Sequence, residues 1–242
     1  MARPGKEILV VRVLTVFLLG GFALSAGWIV AQDSGGLGSA KRPLDLPSGG
    51  LGDEEEDENS PETINFYGAS YEGEAFFWCL DQSCSMGWGG GQPIATLRAE
   101  MIQAVTSLSS QADFGMVRFH TTHQAWNLTP VRAIPGNKAA AVSWIQSMSA
   151  DGTTCILPAA TTTLQIAALS NKQFKRLILV GDGVPECPPP GGTDQNEQVL
   201  QGITAANWQQ IPIDTIFISA SSEGIALFQA IANANGGTFH NP

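Results

Sequence analysis

Short apolar runs alternate with amphipathic segments through most of the chain after residue 63. The run at 76–80 is apolar at every position and leads into Asp81, and the run at 177–180 leads into Gly181 and Asp182. A short, continuously apolar run is typical of a strand that is buried on both faces of a sheet. Both runs therefore predict central strands that end in a carboxylate.

Helical and strand patterns alternate along the rest of this region. Pro93 suits the first position of a helix, and apolar residues then recur at helical spacing from Ile94 to Leu108. Further helices are predicted at 137–148, 156–169, 194–208 and 223–233, with strands at 114–120 and 211–219 and a short returning strand at 124–131. The alternation predicts an α/β fold: a doubly wound, mainly parallel sheet with one short antiparallel edge strand and helices on both faces.

The first 31 residues have a different pattern. Residues 1–12 are basic, with Arg3, Lys6 and Arg12, and residues 13–31 carry no charge. A helix of 19 residues spans about 30 Å, the hydrocarbon thickness of a bilayer. The positive-inside rule then predicts a single-pass protein whose remainder is extracytoplasmic, in the periplasm or at the cell surface. We expect a retained transmembrane signal anchor, because the run exceeds a usual signal peptide; small residues at 23–25 leave cleavage open.

Residues 32–63 are predicted to be a linker. The segment is rich in Gly, Pro and Ser, and residues 53–58 are all acidic. Such a composition buries too little apolar surface to offset chain entropy, so we expect a flexible tether between the anchor and a domain at 64–242.

Charge excludes one class of partner. The chain has a formal net charge of −10, but 10 of its 22 acidic residues precede Ile64. The domain keeps 12 acidic against 7 basic residues, an ordinary surface charge. Since no basic and aromatic cluster is present, we expect no nucleic-acid binding.

Oxygen-bearing side chains gather where the predicted strands end. Asp81, Ser83 and Ser85 alternate directly after the first buried strand, and Asp182 follows the second. The polar loop at 151–155 adds a threonine hydroxyl ahead of the helix at 156–169. In open α/β sheets, ligands bind at the edge formed by the carboxyl ends of the strands, and carboxylate and hydroxyl oxygens suit Mg2+ or Ca2+. The sequence therefore predicts a divalent-cation site.

These motifs resemble the von Willebrand factor type A (vWA) domain and its metal-ion-dependent adhesion site, in a membrane-anchored bacterial-type member. The resemblance covers residues 64–242. The Asp-x-Ser-x-Ser motif is Asp81, Ser83 and Ser85, followed by Met86, and Asp182-Gly183 matches the distal pair. The family's threonine falls on Thr154 or its neighbour Thr153; we prefer Thr154, because the pattern Thr-x-Ile-x-x-Ala then falls on Thr154, Ile156 and Ala159.

The resemblance implies a Rossmann-like vWA fold and a function. In the family, Mg2+, or Ca2+ or Mn2+, is held with an open coordination position that an acidic residue of a protein partner occupies. We expect such a binding module rather than an enzyme, with no small-molecule substrate. A scaffold that needs no metal and, less favoured, a metal-dependent hydrolase are the alternatives; no general base accompanies the motif, and no phosphate loop or serine elbow is present.

Four cysteines bear on the same region. Cys79 lies inside the first strand and is expected to be a buried hydrophobe. Cys84, Cys155 and Cys187 fall on the loops near the predicted site, so that one pair among them can form a disulfide in an exported protein. The pairing stays open. Zinc is disfavoured because the spacing contains no Cys-x-x-Cys.

Overall fold

The structure, a computed structural model, describes residues 61–187 and 195–242. The strands are β1 (Glu62–Phe66), β2 (Ala69–Gly73), β3 (Ala75–Asp81), β4 (Asp113–Phe119), β5 (His123–Ala125), β6 (Val131–Arg132), β7 (Lys175–Gly181), β8 (Ile213–Phe217) and β9 (Phe239–His240). The helices are α1 (Trp88–Ser107), α2 (Pro135–Gln146), α3 (Ile156–Ala168), α4 (Gln195–Ala206) and α5 (Ser222–Ala234), and a 3-10 turn, Cys84–Gly87, precedes α1.

A mainly parallel sheet forms the centre of the fold. Its strand order is β5-β4-β3-β7-β8-β9, with β6 pairing beside β5 on β4. The pairs from β4 to β9 along this path are parallel, whereas β5 and β6 run antiparallel to β4. The predicted α/β fold is therefore confirmed. Parallel pairing also brings the carboxyl ends of β3 and β7 together at one edge.

Alternate residues of the central strand enter two different cores. Phe76, Trp78 and Leu80 of β3 pack on one face with α1, α2 and the β1–β2 hairpin. Phe77 and Cys79 pack on the other face with α3, α4 and α5. The continuous apolar run at 76–80 is thus explained by burial on both sides of the sheet.

Several details differ from the sequence prediction. The hairpin of β1 and β2 was not predicted, and β1 begins at Glu62, inside the expected linker at 32–63. The single returning strand expected at 124–131 is two shorter strands, β5 and β6, because the chain leaves β4 and then rejoins it. The anchor expected at 13–31 lies outside the described residues, and within the described ones no helix has the length and apolar character that a bilayer span requires.

Candidate metal centre

Asp81 is the innermost polar side chain of the candidate site. It ends β3, between β4 and β7, and is fully buried. Its Oδ1 atom accepts a hydrogen bond from the backbone N–H of Ser83 at 2.7 Å. Its Oδ2 atom has no hydrogen-bond partner among the described residues. A buried carboxylate oxygen without a partner is costly, and a bound cation is one way to satisfy it.

A chain of hydrogen bonds links the two serines to the second carboxylate. Ser83 Oγ and Ser85 Oγ are 3.1 Å apart, and Ser85 Oγ donates to Asp182 Oδ1 at 2.6 Å. Ser85 is held by the 3-10 turn, whose Met86 side chain is fully buried. The fold thus brings together residues 97 positions apart in sequence.

The Thr154 hydroxyl lies beside the same group. A Cβ atom added to Gly183 would stand 3.0 Å from Thr154 Oγ1 and 3.8 Å from Ser85 Oγ, so that these two hydroxyls flank Gly183. The side chain of Thr153 has other partners: its hydroxyl is 3.1 Å from Thr121 Oγ1. The structure therefore places the hydroxyls of Thr154 and Ser85 beside Gly183, whereas the hydroxyl of Thr153 lies beside Thr121.

Two glycines leave room for these oxygens. A Cβ atom on Gly181 would stand 3.1 Å from Asp81 Oδ2 and 2.8 Å from the ring of Phe228. Real Cβ atoms essentially never approach a neighbour below 3.0 Å, so Gly181 admits no side chain without a shift of the ring. Gly181 and Gly183, on either side of Asp182, thus add no side chain next to the Asp81 carboxylate and the Thr154 hydroxyl.

Backbone hydrogen bonds fix the loop that carries Thr154. The N–H of Asp151 donates to the carbonyl of Gln82 at 2.9 Å, and the N–H of Cys84 donates to the carbonyl of Gly152 at 3.0 Å. At the far end of the loop, the N–H of Cys155 donates to the carbonyl of His120 at 3.1 Å. The loop is held against the ends of β3 and β4, at the edge where Asp81 lies.

Burial alters the acidity of both carboxyl groups. Loss of solvent, with a smaller contribution from the charge of Asp182, raises the pKa of Asp81 to about 7, against hydrogen bonds, chiefly from Ser83, that lower it. Burial also raises the pKa of Asp182, against the hydrogen bond from Ser85. Each shift disfavours the ionised form in the absence of a compensating positive charge. The donor set, two carboxylates and three hydroxyls, fits a hard divalent cation.

Three consecutive glycines begin α1 beside the site. Gly89, Gly90 and Gly91 have φ values of 62°, 77° and 81°, in the left-handed region that glycine adopts without a Cβ clash. The regular part of α1 follows this glycine turn. The turn allows Ser85 to face the site while Leu97 and Met101 enter the core.

The cysteine and histidine side chains do not form a second metal site among the described residues. Cys155 and Cys187 form a disulfide, Cys79 is buried as expected, and Cys84 is exposed with a free thiol. Within residues 61–187 and 195–242, no three His, Cys, Asp or Glu side chains converge as in a zinc site. His123 Nε2 is 3.0 Å from Thr162 Oγ1.

Known structures share this architecture. The chain aligns over 70% of its length with a von Willebrand factor type A protein from Catenulispora acidiphila, at 19% identity and a TM-score of 0.58. It aligns over 70% with the conserved hypothetical protein BatB from Bacteroides thetaiotaomicron, at 14% identity and a TM-score of 0.54. This is the vWA fold. The alignments cover 39% and 90% of those two chains, respectively.

A third structure has the same architecture, although sequence comparisons give no match. The SpRpn10 VWA domain aligns with 70% of the chain and 88% of its own length, at 16% identity and a TM-score of 0.50. No family profile and no curated protein sequence matches the chain. Since all three identities are low, these likenesses show the vWA fold and leave the function to the chemistry of the site.

One contributor to the site was not predicted from the sequence. The exposed carboxylate of Glu186 accepts a hydrogen bond from the backbone N–H of Thr154 at 3.1 Å. The only sequence signal near it is Cys187, because two of the three cysteines expected on these loops were able to pair. The contact depends on the course of the chain after β7, which no periodic pattern encodes.

Proposed function

We propose that the vWA domain is a divalent-cation-dependent module that binds an acidic side chain of a protein partner. The observation that carries this proposal is the fully buried Asp81 carboxylate, whose Oδ2 atom has no partner among the described residues. A carboxylate held in this way is destabilising for an isolated domain. The cost is understandable if the residue serves a ligand.

The five candidate ligands would have distinct roles. Asp81 and Asp182 would supply negative charge, and Ser83, Ser85 and Thr154 would supply neutral oxygens. Mg2+ takes six oxygen ligands in octahedral geometry and Ca2+ takes six to eight. Five side chains therefore leave at least one position, and a bound cation supplies the positive charge that attracts a carboxylate to it.

The preferred cation is Mg2+, with Ca2+ or Mn2+ as alternatives. The Ser83–Ser85–Asp182 hydrogen-bond chain supports a small cation, because its neighbouring oxygens are 3.1 Å and 2.6 Å apart. Mg2+ requires closer ligands than Ca2+. A general base beside these oxygens would favour hydrolysis, and nothing in the geometry favours that alternative over binding.

A pull-down with matched arms tests the binding function. The full chain, in mild detergent, would be incubated with an extract of its source cells in Mg2+, in EDTA, and in EDTA followed by excess Mg2+. We expect a protein that is retained in the first and third arms and lost with Asp182→Ala. Equal recovery in EDTA would contradict the proposal and favour the metal-independent scaffold.

We also propose that the domain acts outside the cytoplasm, tethered by residues 13–31 through the linker at 32–63. The support is the sequence: a basic segment at 1–12, an uncharged run, and an acidic stretch after it. The Cys155–Cys187 disulfide is compatible with this location, because disulfides persist in oxidising compartments.

A further inference from the structure

Two loops of the candidate site are fastened to each other next to Thr154. One loop carries Thr154 into α3, and the other follows Asp182 after β7. The disulfide joins Cys155, the residue after Thr154, to Cys187. The residue before Cys187, Glu186, contacts Thr154 itself. Adjacent residues of one loop are thus paired with adjacent residues of the other.

Glu186 holds both backbone polar groups of Thr154. Its Oε2 atom accepts from the Thr154 N–H at 3.1 Å, and its own N–H donates to the Thr154 carbonyl at 3.0 Å. We call the Glu186–Thr154 hydrogen bonds and the Cys155–Cys187 disulfide the clasp. Backbone held at both N–H and carbonyl leaves the side chain little freedom to move as a whole.

The clasp ties Thr154 to the Asp182 side of the site. The other fastenings of this loop, from Asp151 to Gln82 and from Cys155 to His120, lead to the ends of β3 and β4. Asp182 instead follows β7. The relative position of the Thr154 hydroxyl and the Asp182 carboxylate therefore depends on the clasp more than on the rest of the loop.

We infer that the clasp is a positioning device and that the cation affinity of the site depends on the oxidation state of Cys155 and Cys187. This inference rests on the cation-binding function proposed above. Reduction by a dithiol breaks the S–S bond, transfers two electrons and two protons to the cysteines, and leaves the reductant as a cyclic disulfide. Of the clasp, the Glu186–Thr154 hydrogen bonds alone would then remain between the two loops.

The elements beside the clasp should survive its opening. Ile156, at the start of α3, is 1% exposed, and Leu177, in β7, is fully buried. Both pack in the same apolar core. Reduction should consequently loosen the two loops while α3 and β7 stay in place.

The primary test is Mn2+ binding to the full chain, measured from the loss of the free-ion electron paramagnetic resonance signal. Cys84→Ser serves as the background, because an exposed thiol can exchange with the disulfide. We expect binding by the oxidised protein and roughly tenfold weaker binding after dithiothreitol, the effect of losing an outer-shell support. The variant Cys155→Ala/Cys187→Ala should bind weakly with or without the dithiol.

Glu186 is tested by two substitutions. Glu186→Gln keeps an oxygen that can accept from the Thr154 N–H, whereas Glu186→Ala removes it. A positioning role predicts near-normal Mn2+ affinity for Glu186→Gln and weaker binding for Glu186→Ala. Equal weakening of both variants would mean that Glu186 acts through its charge, and would overturn its part in the clasp.

A metal-free measurement reports on the clasp directly. In EDTA, hydrogen exchange at the Thr154 amide should be faster in the reduced protein than in the oxidised protein, because its hydrogen bond to Glu186 opens more often. The Ile178 amide, in the centre of β7, should exchange at the same rate in both.

The outcomes separate the inference from the function on which it rests. Mn2+ binding that is equal before and after reduction would overturn the clasp and leave the metal function intact. Absence of saturable Mn2+ binding by the oxidised protein would overturn both. Binding that weakens on reduction in the Cys84→Ser background, with no such change in Cys155→Ala/Cys187→Ala, would support the clasp.

Discussion

Asp81 illustrates how one side chain can oppose the stability of its own fold. The sequence places a carboxylate at the end of an apolar run, and the structure shows that this carboxylate is fully buried. Burial raises its pKa to about 7. The charged form is therefore disfavoured in the metal-free protein, and a cation would favour it.

Stability of the metal-free protein should depend on pH through Asp81. Because its pKa in the folded state is about 7 against an ordinary value of 3.8, the folded state holds the proton more tightly than the unfolded chain. This contribution to stability is present at low pH and is lost as the pH rises from about 4 to about 7. In urea unfolding with EDTA, the free energy of unfolding of Asp81→Asn should increase relative to that of the wild type as the pH rises across that window, by on the order of a few kcal/mol.

Asp151→Asn is the control for this pH series. Asp151 is an exposed carboxylate on the neighbouring loop, and its substitution should leave the pH profile close to that of the wild type. If the difference in free energy of unfolding between Asp81→Asn and the wild type stayed constant from pH 4 to pH 8, the assigned burial effect would be contradicted.

Gly183 should matter to binding more than to folding. An alanine Cβ would stand 3.0 Å from Thr154 Oγ1, so Gly183→Ala should displace the hydroxyl and weaken cation binding several-fold, in line with other perturbations next to ligands. Gly136→Ala is the matched control, because its Cβ meets no atom within 4 Å. Calorimetric titration with Mg2+ measures both, and equal affinities for the two variants would contradict the proposed position of Thr154.

At the scale of elements, periodicity predicted what burial dictates. β3 is apolar as far as Leu80, and β7 is apolar from Leu177 to Val180, because both faces of the sheet are covered there. Helices α3 and α5 show one apolar face because only one side of each packs on the sheet. The β1–β2 hairpin was missed although its buried residues alternate with polar ones, because its two strands have only five residues each and follow an acidic segment. Its turn, at Tyr67 and Gly68, has two positive φ values, and Gly68 was the available signal.

The site was predictable in part for a related reason. Asp81, Ser83 and Ser85 are close in sequence, and Asp182 follows a strand whose parallel neighbour is β3, so topology alone brings them together. The course of the loop after Asp182 has no such rule. The Glu186 contact and the pairing of Cys155 with Cys187 could therefore be identified only from the three-dimensional structure.

Buried residues within the strands should determine the stability of the domain, and the polar residues at the strand ends should determine cation binding. Ile178 is fully buried in β7, so Ile178→Ala should lower the free energy of unfolding by about 2–5 kcal/mol through the cavity it leaves. Its Mg2+ affinity, measured well below the melting temperature, should match that of the wild type. Thermal melting in EDTA measures the stability, and calorimetric titration measures the Mg2+ affinity. Loss of Mg2+ affinity in folded Ile178→Ala would contradict the view that buried strand residues affect stability alone.

At the scale of the whole molecule, charge is distributed unevenly along the chain. The acidic block at 53–58 precedes a domain whose own net charge is modest. Attraction of an acidic partner would then depend on the cation rather than on a basic surface, since only 7 of the 12 basic residues follow residue 63. This distribution predicts that partner binding is lost in EDTA and not merely weakened.

Topology is the prediction that concerns the region outside the described residues. A reporter fused after Pro242 should be extracytoplasmic and should sediment with membranes, because Arg3, Lys6 and Arg12 precede the uncharged run. Replacing the three basic residues with Ser is the matched control and should impair this orientation. A reporter active in the cytoplasm would contradict the tether, and a soluble chain beginning near residue 26 or 32 would indicate a cleaved signal peptide.

The central claim is that Asp81 and its neighbours bind a divalent cation, and Mg2+ calorimetry tests it most directly. The full chain, its Asp81→Ala variant and Glu72→Ala, an exposed carboxylate on β2, would be titrated under oxidising conditions at pH 8. We expect one saturable site in the wild type and in Glu72→Ala, and none in Asp81→Ala. Full Mg2+ binding by folded Asp81→Ala, or absence of binding in the wild type at millimolar Mg2+, would contradict the account.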